Sequence, residues 1–181
     1  MPANELTDVE LLLRGELTVT GRMPHSSNAT LLCSITHDER TERVIYKPLK
    51  GERPLWDFDP GLHRREVAAY RLSEAMGLDL VPPTVLRDGP FGEGSVQLFI
   101  EHDPNLHYFS ILESRDDLHD PLRAMCAFDI VANNTDRKAG HVIVDANDHV
   151  WGIDHGVCFS ADFKLRDRKS TRLNSSHTDI S

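Results

Sequence analysis

One helical period constrains this chain more than any other feature. Between Gly61 and Met76, the apolar residues Leu62, Ala69, Leu72, Ala75 and Met76 recur at helical spacing, and Gly77 stands where such a helix ends. Val81-Pro82-Pro83 then breaks the chain. Short β-rich runs flank this helix on both sides. Leu17 to Thr20, Thr30 to Thr36 and Arg43 to Lys47 precede it, the last two joined by the charged turn Asp38 to Glu42. Thr84 to Leu86 and Ser95 to Ile100 follow it, separated by Gly-Pro-Phe-Gly-Glu-Gly. The first three runs predict an antiparallel meander, and strands segregated from helices in this way predict an α+β fold.

The ends of this region are equally legible. Thr7-Asp8-Val9-Glu10 fits a capping box, opening a helix through Leu11, Leu12 and Leu13 that Gly15 terminates. Beyond Glu101, Asp120 and Pro121 read as N-cap and first-turn proline of a helix through Leu122, Met125, Cys126, Phe128 and Ile130. Asn133-Asn134-Thr135-Asp136 stops that helix. His141 to Val144 and His149 to Ile153 then flank Asp145 to Asp148 as a hairpin. The division expected is a β-rich lobe over residues 1–101 and a mainly helical lobe over 102–166. Residues 167–181 hold two aliphatic residues and no pattern able to bury a face, which predicts a disordered, non-native tail. A second lobe cut short in this way predicts exposed apolar surface.

Composition narrows the function classes. Twenty lysines and arginines against 29 acids leave a net charge of −9, unsuited to a dedicated nucleic-acid binder, which neutralises phosphates with basic residues. No run approaches the roughly 18–20 apolar residues of a membrane span, and the first residues lack the features of a secretory signal. Cys33, Cys126 and Cys158 lie far apart, which predicts reduced, buried thiols in a cytoplasmic protein. Trp56 and Trp151 are expected to pack, and His25, His63, His102, His107 and His119 to lie on the surface.

The densest polar constellation is Asn133 to His141, followed by Asp154-His155-Gly156. A hairpin between the two segments folds back, so it returns both to one neighbourhood. Two carboxylates, a lysine and a histidine then meet. Phosphoryl transfer needs such a set: a carboxylate to orient and deprotonate a hydroxyl, an acid to hold metal, and a cation for developing charge. The same residues leave two other readings open. One is a nucleotide-binding module without turnover; the other is a metal-dependent phosphohydrolase built from Asp136, His141, Asp154 and His155.

These segments resemble a kinase catalytic loop and its metal loop. On that resemblance Asp136 is the base, Lys138 the cation, and Asp154-His155-Gly156 the metal-binding triplet with His for Phe; His141 stands where Asn is usual. Asn134-Thr135-Asp136-Arg137 is closer to the loop of phosphoinositide 3/4-kinase-like and HipA-type kinases. Residues 16–166 resemble the actinobacterial phosphatidylinositol 3-/4-kinase-related family, which implies a two-lobed, protein-kinase-like fold whose second lobe contains the hairpin. It implies ATP and Mg²⁺, with a hydroxyl-bearing acceptor as the other partner. Asp154 and His141 are then the metal residues. Lys47 meets the nucleotide phosphates, paired with Glu66 (Glu74 being the alternative one helix segment on). Ser26, Ser27 and Asn28 cover the phosphates, and Phe99, Ile100 and Glu101 form a hinge against adenine.

Overall fold

The computed structural model describes residues 6–24 and 28–161. Ser26, Ser27 and His25 lie outside the described residues, as do the last part of the second lobe and the whole 167–181 tail. The chain runs α1 (Asp8–Arg14), β1 (Glu16–Arg22), β2 (Leu31–His37), β3 (Arg40–Pro48), α2 (Leu62–Ala75), β4 (Thr84–Gly89) and β5 (Gly92–Leu98). It continues through α3 (Tyr108–Ser114), α4 (His119–Val131), β6 (Val142–Val144) and β7 (Val150–Gly152). Among the described residues, five strands form one antiparallel sheet in the order β1-β2-β3-β5-β4. β6 and β7 form a separate hairpin. The fold is α+β and kinase-like.

Each element follows from local chemistry. The capping box of α1 forms as its sequence requires: Thr7 Oγ1 accepts from the Glu10 N–H at 3.2 Å, and Glu10 accepts from the Thr7 N–H at 3.1 Å. Gly61, at the N-cap of α2, has no side chain to offer. Glu52 from the preceding loop supplies the missing acceptor, taking the Gly61 and Leu62 N–H groups at 2.9 and 2.8 Å. Gly94 has no alternative in β5, because a Cβ there would stand 2.6 Å from the Lys47 carbonyl oxygen on the paired strand.

Two buried clusters organise the molecule. Leu11 and Leu12 of α1 pack with Cys33, Ile35, Val44, Tyr46, Val85 and Val96 of the sheet. Ala69 and Tyr70 of α2 pack with Ile111, Leu122, Met125, Phe128 and the hairpin valines Val142, Val144 and Val150. Helix α2 thus joins the sheet to the α3–α4–hairpin half. Among the described residues, no helix is long and apolar enough to cross a membrane.

Several sequence expectations need correcting. Asp120 is not the N-cap of α4: a 3-10 turn over Asp116–Leu118 leads directly into the helix, which begins at His119. Asp120 and Pro121 sit in its first turn, and Asp120 pairs with Arg123. Helix α3 carries no apolar period long enough to announce itself, and is held by a reciprocal His107–Ser110 cap. Ile130 faces outward with Val131, while Phe128 takes the core position. Cys126 is exposed, whereas Cys33 and Cys158 are buried as expected. Trp56 is 97% exposed, since Phe58 fills the buried position of its loop. His63 is buried rather than superficial, between Glu93 (3.1 Å) and Glu52 (3.7 Å).

Candidate active site

The site is assembled by the hairpin. Its register pairs Val142 with Gly152, and the Ile153 N–H donates to the His141 carbonyl at 2.9 Å. The two strands therefore end side by side, and the segments leaving them, 136–141 and 153–156, share one end of the hairpin. At the far end, Asp145 closes the turn by accepting from the Asn147 and His149 N–H groups at 2.8 and 3.1 Å and from Trp151 Nε1 at 2.9 Å.

Arg137 clamps the two segments together. Its Nε and Nη2 donate to the two Asp129 carboxylate oxygens, each at 2.8 Å. Its Nη1 reaches the carbonyls of His141 (3.2 Å) and Ile153 (2.9 Å), and its Nη2 lies 2.7 Å from His155 Nε2. A bidentate fork suits this role because a guanidinium holds several acceptors in one plane. His155 is fully buried, edge-on to Phe128 at 5.6 Å between ring centroids. Burial, reinforced by Arg137 and Lys47, drives its pKa well below the ordinary histidine value. The ring is neutral, and its Nε2 accepts the Arg137 proton.

Across the cleft, Lys47 extends from β3. Its ammonium bonds Glu66 of α2 and donates to Asp154 Oδ1 at 3.1 Å. Glu66 is only 3% exposed, and its second oxygen accepts from the His155 N–H at 2.9 Å. One glutamate thereby ties the sheet lysine to the 154–156 segment. Burial opposes charge on Lys47, but Glu66 and Asp154 outweigh it and raise its pKa. Lys47 holds the Asp154 pKa far below the ordinary carboxylate value against the opposing effect of burial. Asp154 adopts a left-handed backbone (φ 62°), which aspartate tolerates better than most residues and which is common at functional sites.

The loop acids complete the set. Lys138 Nζ lies 3.0 Å from Asp136 Oδ2, and His141 Nε2 lies 3.3 Å from Asp154 Oδ2. Burial lowers the His141 pKa, leaving it neutral, and among the described residues its buried Nδ1 has no hydrogen-bond partner. The Asp136 N–H donates to Asn134 Oδ1 at 3.2 Å, and Asn134 Nδ2 donates to Asp129 at 2.8 Å. Asp129 therefore anchors both Arg137 and the loop that presents Asp136.

A cleft of about 720 Å³ receives Asn28, Lys47, Glu66, Asp136, Lys138, His141 and Asp154 on its walls. Asn28 is fastened to the facing loop, its Oδ1 accepting from the Arg53 N–H at 3.0 Å. Phe99, Ile100 and Glu101 do not line this cleft. The Phe99 N–H donates to the Arg43 carbonyl at 3.0 Å, the Ile100 carbonyl lies 2.8 Å from His102 Nδ1, and Glu101 pairs with Arg43. Gln97, two residues earlier, lines it instead. Glu74 is occupied elsewhere, with Tyr70 and Arg71. Sequence reasoning missed the parts played by Asp129, Gln97 and Arg137. Asp129 gave no signal, since a single acid among helical apolar residues looks like a solvated position.

A strand lysine paired with a helix glutamate, facing two loop acids across a cleft between a sheet and a helical half, defines the kinase-like class. The chain belongs to the phosphatidylinositol 3- and 4-kinase family, whose model matches residues 65–170. Protein Rv2133c of Mycobacterium tuberculosis (strain ATCC 25618 / H37Rv) is 39% identical to it over 189 residues. That alignment covers 86% of this chain and 68% of the mycobacterial protein.

Proposed function

We propose that this chain is an ATP-dependent phosphotransferase acting on a hydroxyl-bearing acceptor. The observation that carries the proposal is the direct contact of Lys47 with both Glu66 and Asp154 on the wall of a cleft that also receives Asp136. Lys47, kept charged by two carboxylates, holds the nucleotide phosphates. Asp136 takes the acceptor hydroxyl proton as the new oxygen–phosphorus bond forms. The bond from the γ-phosphorus to its bridging oxygen breaks, and its electron pair leaves with ADP. Lys138, beside Asp136, faces the transferring group and offsets its charge. Asn28, on the cleft wall, faces the phosphates.

Asp154 suits Mg²⁺. Its side chain is 48% exposed and stays ionised. Mg²⁺ commonly binds through one or two carboxylates, completing its shell with phosphate oxygens and water. Among the described residues no group of three or more His, Cys, Asp or Glu is arranged to hold a metal unaided, which suits an ion shared with a nucleotide. Asp154 would hold Mg²⁺, which would supply positive charge at the phosphate oxygens. We assign His141 to orienting Asp154 rather than to the metal. Its Nε2 stands 3.3 Å from Asp154 Oδ2, where a ring N–H holds that carboxylate in place.

Turnover tests the reading. Asp136→Ala and Asp154→Ala should each lower ATP consumption in the presence of acceptor by about 10²–10⁴-fold, with melting transitions as cooperative as the parent's. Unchanged turnover in either variant removes that residue from the mechanism. Stabilisation by Mg-ATP without phosphate transfer would favour a nucleotide-binding module. Tightly retained zinc or manganese without ATP affinity would favour a phosphohydrolase.

A further inference from the structure

Gln97 presents a hydrogen-bond acceptor whose direction is dictated by its neighbours. It stands opposite Ile45 in the β3–β5 register, and both residues line the cleft with Ile153. Gln97 is 7% exposed. Thr84 Oγ1 donates its proton to the Pro82 carbonyl at 2.7 Å, so toward Gln97 it can only accept. Gln97 therefore gives Thr84 its Nε2, at 2.8 Å, and turns Oε1 the other way. Among the described residues Oε1 has no hydrogen-bond partner, yet it is not sealed from solvent. The opening it meets is the cleft that Gln97 lines. An oriented, unspent acceptor thus stands in a cleft that Ile45 and Ile153 also line.

The place of this acceptor along the cleft identifies what it meets. Lys47 lies two residues beyond Ile45 on the same face of β3, and it marks the phosphate end. The lining at Ile45, Gln97 and Ile153, apolar with one polar edge, suits the base. We propose that Gln97 selects the nucleotide base, its Oε1 accepting from the exocyclic amine of a 6-aminopurine and repelling the carbonyl of a 6-oxopurine. The proposal rests on the nucleotide-binding reading above and adds the base to it. Discrimination arises because a buried acceptor facing another acceptor loses its hydrogen bond and gains no water in exchange.

The test compares Mg-ATP with Mg-ITP, which differ at purine position 6, by isothermal titration of the full chain. The parent protein should bind ATP about 10–100-fold more tightly than ITP. Gln97→Leu should bring the two affinities within about threefold. Thr84→Val keeps Gln97 but frees its amide to turn, so it should narrow the ratio as well; it also decides the matter if Gln97→Leu does not fold. Lys47→Ala should weaken both nucleotides and preserve their ratio. Equal affinities in the parent, or a parental ratio in both the Gln97 and Thr84 variants, would overturn the proposal while leaving nucleotide binding intact. Failure of the parent to bind either nucleotide would overturn it together with the phosphotransfer reading.

Discussion

Glu66→Gln probes the pivot of the site. The two oxygens of Glu66 serve different donors, one the Lys47 ammonium and the other the His155 backbone N–H at 2.9 Å. Glutamine has a single acceptor oxygen, so one of these donors must face an amide N–H₂. Losing a hydrogen bond to a charged group costs about 1.5–3 kcal/mol, and a buried donor left unpaired about 1–3 kcal/mol. The expected loss is about 3–5 kcal/mol, the range for breaking a buried ion pair. For a chain of this length each kcal/mol lowers the melting temperature by about 2–4 °C, so the variant should melt roughly 6–20 °C below the parent. Urea unfolding followed by circular dichroism measures the free energy directly. Glu74→Gln is the control on the same helix: Glu74 is far more exposed and can keep its Tyr70 hydroxyl bond through the amide oxygen. It should cost no more than about 1 kcal/mol. A Glu66→Gln loss as small as that of Glu74→Gln would refute the reasoning.

Two further perturbations test the buried network around the loops. Arg137→Lys cannot reproduce the bidentate contact with Asp129 while reaching the His141 and Ile153 carbonyls, and it should destabilise the chain by about 3–5 kcal/mol; a shift below about 1 kcal/mol in urea would show that the clamp is not structural. Stability should also fall on acidification. His155 and His141 are held neutral by burial, so below about pH 6.5 the unfolded chain takes up protons that the folded chain refuses, at up to about 1.4 kcal/mol per pH unit for each. Asp154, held ionised by Lys47, adds its own loss below about pH 4. Urea midpoints that stay level between pH 7.5 and 5 would contradict this.

The parts of the site written locally were readable in one dimension. Lys47 lies in a β-run, Asp136 follows a helix stop, and Asp154 follows a hairpin strand; each is placed by short-range period or turn chemistry. The pairing of Lys47 with Glu66 rather than Glu74 was open in the sequence by about a helix segment. The packing of α2 closed that choice, since it buries Glu66 and leaves Glu74 near solvent. Phe99–Glu101 and Gln97 show the opposite outcome. A strand run does not reveal which of its residues faces a cleft, because that depends on how far β5 extends and on where the second half sits.

Strand and helix period, capping residues and the order of the polar segments follow from interactions within a few residues, so the sequence alone determined the α+β class and the identity of the main acids and lysine. Burial and direction depend on groups distant in the chain. That Asp129 would anchor Arg137, that His155 would be sealed and neutral, that Trp56 would lie outside while His63 lay inside, and that Thr84 would aim the Gln97 carbonyl were decided by tertiary structure. Apart from the outward Trp56, each is the solution to pairing donors with acceptors in a space nearly without water, and no single segment contains both sides of that pairing.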